Sequence, residues 1–145
     1  MPLSQKTIDT VKATIPVLEE HGETLTTHFY KRLFELYPEV KEMFDDENQR
    51  SGKQPKALAA SVLAYARHID NLEALSGAVS RIADRHTQSN VQPEHYPIVG
   101  EVLLLSMKEV LKEGATDEVL SAWGEAYGAL ADIMIGLEQD IYQSA

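Results

Sequence analysis

Apolar side chains recur every three or four positions along nearly the whole chain, the spacing that lines one face of an α-helix. Runs that alternate apolar and polar residues, as half-buried strands do, are absent. The pattern predicts a first helix from after Ser4, a good N-cap, to Gly22, with Pro16 kinking it or marking its last turn. A second helix is expected over Glu23–Tyr37, and a short turn from Pro38 through Phe44. Residues 45–53 are polar and aperiodic, which predicts a loop. Pro55 suits the opening turn of a helix with Leu58, Val62, Tyr65, Ala66 and Ile69 on one face. The next helix places Leu75, Val79, Ile82 and His86 in one stripe and closes over residues 87–90. Pro93 and Pro97 mark the entry to a long helix that reaches Lys112 and stops at Gly114. Thr116 is a fitting N-cap for a last helix running to about Tyr142. The expected fold is therefore all-α, with six or seven helices in one domain spanning residues 1–145.

Composition narrows the chemistry. The chain has no cysteine, which removes disulfides, thiolate metal sites, iron–sulfur clusters and haem attached through thioethers. Thirteen basic against 23 acidic residues give a formal net charge of −10, so binding to nucleic acid or anionic lipid would be repelled. The longest uncharged apolar-rich stretch, Ala57–Ala66, is too short to span a bilayer. The N-terminal residues lack the apolar segment of a signal peptide, which makes the cytoplasm the expected compartment. Motifs for a serine nucleophile elbow, a phosphate-cradling loop, a zinc protease or an EF-hand are absent.

The informative residues are polar ones at positions where the helical period calls for an apolar side chain, since burying such a group without a partner is costly. His86 extends the stripe of Leu75, Val79 and Ile82. It can be a metal or haem-iron ligand, or a histidine satisfied by backbone. Glu138 falls within the apolar face of Tyr127, Ala131, Met134, Ile135, Ile141 and Tyr142; it needs a donor there, or it lies at the stripe edge and reaches water. Gln54 precedes Leu58 by one turn. Tyr30 continues the stripe of Leu33, Phe34 and Tyr37, and Tyr96 that of Val99 and Leu103. A tyrosine hydroxyl buried in this way usually finds a partner.

Six stretches, KATIPVLEEHG (12–22), FYKRLF (29–34), YPEVKEMF (37–44), QPKALA (54–59), HYPIVG (95–100) and AWGEAYG (122–128), resemble the single-domain bacterial haemoglobins related to the haem domain of flavohaemoglobins. The resemblance covers essentially the whole chain, with loop 45–53 its least similar part. It implies a globin fold around non-covalent haem b, with His86 as the proximal iron ligand and Tyr96 and Glu138 as its partners. Tyr30 and Gln54 match the family's distal tyrosine and glutamine, Phe44 the phenylalanine on the porphyrin, and Leu58 the apolar distal residue. Val62 would add to the apolar wall, and Arg81 and Arg85 would lie on the His86 helix near the cofactor and guide a docking partner.

The function this implies is reversible binding of oxygen at ferrous iron. The competing expectation is nitric oxide dioxygenation, with electrons from an external flavin reductase because no reductase sequence follows Ala145. Expected partners are oxygen, nitric oxide and other diatomic ligands, with a homodimer as the assembly to look for, and neither nucleic acid nor membrane insertion. A cofactor-free helical interaction module would share the periodicity but leaves His86, Glu138 and Tyr30 without a purpose.

Overall fold

A computed structural model describes residues 3–43, 53–88 and 91–144. Among these the chain forms six α-helices: α1 (Gln5–Ala13), α2 (Ile15–Leu36), α3 (Lys53–Arg67), α4 (Ser76–Gln88), α5 (His95–Leu111) and α6 (Asp117–Ser144). Short 3-10 segments run over Pro38–Met43, Leu72–Leu75 and Lys112–Gly114. The expected loop 45–53 lies outside the described residues except for its last residue, which begins α3.

Two expected boundaries move. The first break falls at Thr14 instead of Gly22. Pro16 has no N–H to give the preceding turn and so occupies the first turn of α2, where such a donor would have no partner. Thr14 donates its hydroxyl to the Val11 carbonyl at 2.6 Å and accepts the Trp123 indole N–H at 3.2 Å, so the break is satisfied inside the core. Gly22 instead sits buried within α2, beside Ala59 of α3. The second change is at the end of α5, where Lys112 and not Gly114 takes the positive φ, at 52°. The last turn tightens into the 3-10 segment, and the Ala115 N–H closes on the Lys112 carbonyl at 3.0 Å. The expected caps at Ser4 and Thr116 are present, each accepting a backbone N–H at 3.2 Å.

Packing follows from the stripes. α2 lies against α3 and α5, α6 against α1, α4 and α5. Leu25, Leu33, Val102, Met107 and Trp123 centre the main apolar cluster. A second, smaller cluster joins Ala83 of α4, Tyr96 of α5 and Ala131 and Met134 of α6. α3 and α4 make no extensive contact with each other. Leu58 and Val62 on α3, and Val79 and Ile82 on α4, stay only partly buried. The fold thus leaves apolar area uncovered on the two helices that carry Gln54 and His86. Among the described residues no helix is long and apolar enough to cross a membrane.

Candidate functional site

His86 is in the last turn of α4, Tyr96 in the first turn of α5, and Glu138 near the end of α6. The fold brings all three together. The His86 ring donates from Nδ1 to Glu138 Oε2 at 2.9 Å, with the Tyr96 hydroxyl oxygen 3.0 Å from the same nitrogen. Tyr96 in turn donates to the carboxylate, 2.7 Å from Oε2 and 2.8 Å from Oε1. Burial, with the Glu138 carboxylate beside it, pushes the Tyr96 hydroxyl well above the usual phenol range, so it stays a donor. Glu138 is 3% exposed, which settles the choice the periodicity left open: it is a buried carboxylate with two donors, not a residue at the stripe edge.

The imidazole is oriented by this arrangement. With Nδ1 committed as a donor, the lone pair resides on Nε2, the nitrogen that can ligate a metal. Among the described residues no group of three or more His, Cys, Asp or Glu could cage a metal. The partly exposed apolar residues of α3 and α4 suit a flat apolar group there.

Two supports behind this cluster were not singled out in the sequence. Tyr127 of α6 donates to the Tyr96 carbonyl at 2.7 Å. Its ring fills the notch at Gly100, where a Cβ would stand 2.7 Å from Tyr127 Cε2, so only glycine lets the ring lie there. Tyr142, one turn beyond Glu138, donates to the Val91 carbonyl at 2.7 Å, while the Val91 N–H closes on the carbonyl of His86 at 2.9 Å. One face of α6 therefore holds His86 at its ring and, through Val91, at its main chain. Both tyrosines read as plain members of an apolar stripe; the signal that could have found them is that a buried phenol needs an acceptor.

Tyr30 of α2 is buried at 6% exposure, edge-on to Phe29 with ring centres 5.1 Å apart. The Gln54 side chain, from the first turn of α3, hydrogen-bonds its hydroxyl. Burial pushes the Tyr30 hydroxyl up to about 12 even though the Gln54 bond acts the other way. One turn earlier on α2, the fully buried Thr26 donates to the Pro55 carbonyl at 2.7 Å. Leu58 and Val62 pack against the cluster that includes Tyr30. Arg81 and Arg85 are exposed on α4. Phe44 lies outside the described residues.

Comparisons with known proteins agree with the all-α fold. The Globin family model matches residues 27–134. A flavohemoprotein from Halalkalibacterium halodurans is 54% identical over 143 residues, which cover 99% of this chain and 35% of that protein. The chain thus spans about a third of the length of the curated relatives it matches. Among solved structures, a bacterial globin from Campylobacter jejuni superposes with a TM-score of 0.91 at 43% identity, covering 97% of this chain and 99% of that one. A flavohemoglobin from Malassezia yamatoensis with bound FAD and heme gives a TM-score of 0.89 at 31% identity, covering 97% of this chain and 38% of that one.

Proposed function

The chain belongs to the globin family, and from that premise we propose that it holds haem through His86 and binds oxygen reversibly. The observation that carries this reading is the buried Glu138 carboxylate on His86 Nδ1, which orients Nε2 for an iron. Haem, when bound, supplies an iron that takes up a diatomic gas and, in dioxygenation, the electron by which nitric oxide and oxygen become nitrate. The protein's part is to hold the imidazole as the proximal ligand and to make it more electron-donating through Glu138 and Tyr96. Tyr30 donates a hydrogen bond to a ligand in the distal space, and Gln54 holds that hydroxyl in place. Leu58 and Val62 limit the entry of water. Arg81 and Arg85, exposed on α4, would pair with the carboxylates of bound haem and steer a docking partner in a salt-dependent way.

Similarity to flavohemoproteins favours a second reading on the same site, nitric oxide dioxygenation, with electrons for repeated turnover supplied by a flavin reductase. One pair of measurements tests both. After reconstitution with haem, spectrophotometric titration should show reversible oxygen binding, and its absence would end the carrier reading. Nitric oxide, followed electrochemically, should be consumed to about one equivalent per oxygenated protein and then continue only with NADH and an added flavin reductase. Sustained turnover on NADH alone would overturn the need for a reductase.

Glu138→Gln keeps the shape but removes the charge and turns one acceptor oxygen into an NH2 donor. The imidazole then donates less, so the iron–histidine stretch in resonance Raman should fall, the midpoint potential should rise, and haem affinity should drop about tenfold or more. A wild-type stretch together with a wild-type potential would show that the carboxylate does not act on the iron.

A further inference from the structure

We propose that Thr26 is a positioning residue for the distal pair: its bond to the Pro55 carbonyl holds the first turn of α3 so that Gln54 stays against Tyr30. The inference rests on the distal roles given above to Tyr30 and Gln54.

Thr26 is fully buried, and its hydroxyl has one proton to give. Two carbonyls lie near it, Pro55 at 2.7 Å and Glu23 at 3.3 Å, and the shorter contact takes the proton. Thr26 and Tyr30 are one helical turn apart and so share a face of α2. Gln54 and Pro55 are adjacent in the first turn of α3. The same face of α2 therefore meets the start of α3 twice, once at the main chain of Pro55 and once at the side chain of Gln54. Helix ends are the parts that fray, because their first N–H groups lack partners within the helix. Where Gln54 sits consequently depends on what pins that turn, and the pin comes from a residue that touches neither ligand nor cofactor. Nothing in the sequence singled out Thr26, whose acceptor lies 29 positions away.

The test uses the full chain reconstituted with haem. Thr26→Val keeps the shape and removes the donor. The C–O stretching bands of the ferrous carbon monoxide complex should shift toward those of Gln54→Val, and stopped-flow oxygen release should quicken about two- to tenfold, the range that one neutral hydrogen bond spans. Thr26→Ser should restore both, and the iron–histidine stretch should not move. In a Gln54→Val background Thr26→Val should add nothing, since the effect runs through Gln54. Thr26→Ala replaces the valine variant if the latter does not fold. A lower melting temperature with unchanged bands and release rate would make Thr26 purely structural and overturn the proposal. So would an equal effect in the Gln54→Val background. If Tyr30→Phe and Gln54→Val themselves leave bands and rate at wild type, the distal reading fails first and takes this inference with it.

Discussion

His86→Ala should abolish normal haem ligation. The wild-type ring presents Nε2 because Nδ1 is held by a carboxylate that is 3% exposed and by a tyrosine hydroxyl 3.0 Å away. Loss of an outer partner of a metal-bound histidine costs about 10–100-fold in metal affinity, so loss of the ligand itself should exceed about 100-fold. Transfer of haem to an excess of apomyoglobin, timed by the Soret shift, reads this directly. The truncation also leaves Glu138 buried with Tyr96 as its remaining donor, which should lower the melting temperature of the haem-free chain as well. Added imidazole, filling the space of the lost ring, should restore a five-coordinate ferrous spectrum. Such a spectrum without imidazole would refute the assignment.

Tyr30→Phe should speed oxygen release by about one to two decades. A hydrogen bond to a partly charged ligand is worth about 1.5–3 kcal/mol, and each 1.36 kcal/mol is about tenfold in rate. The ring stays in its place between Phe29 and Phe34, so the change isolates the hydroxyl. The pH profile gives a second check. With its pKa pushed up to about 12, the phenol stays protonated, and so remains a donor, at every pH below that value. Release from the wild-type protein should therefore be flat between about pH 6 and 9 as far as this group is concerned. An unchanged release rate in Tyr30→Phe would mean that another side chain holds the ligand.

The helices were legible because burial imposes its period on the sequence: Tyr65 and Ala66 of α3 and Ala131 and Met134 of α6 are buried as their stripes predict, while the α4 stripe stays only partly covered. The break at Thr14 was not, because it depends on the indole of Trp123, 109 positions away, accepting a role at the turn. The same division holds at the site. His86, Glu138, Tyr30 and Tyr96 stood out as polar residues on apolar faces, and a family resemblance supplied their grouping. Periodicity could not say that Glu138 and Tyr96 meet at one imidazole, since that is fixed by how α4, α5 and α6 cross. Tyr127, Tyr142 and Thr26 were less visible still, because their acceptors are backbone carbonyls, which leave no mark on the sequence.

The spacing of the proximal residues along the chain sets the order in which the site can be made. Tyr30 and Gln54 both leave the ribosome before His86 does, and His86 is followed after ten positions by Tyr96. Glu138 emerges a further 42 residues later, about 2–8 s at ordinary rates of synthesis. During that interval His86 and Tyr96 have been made without the carboxylate that fixes the imidazole's tautomer. The carboxylate that fixes the ring is thus the last of the named site residues to be made.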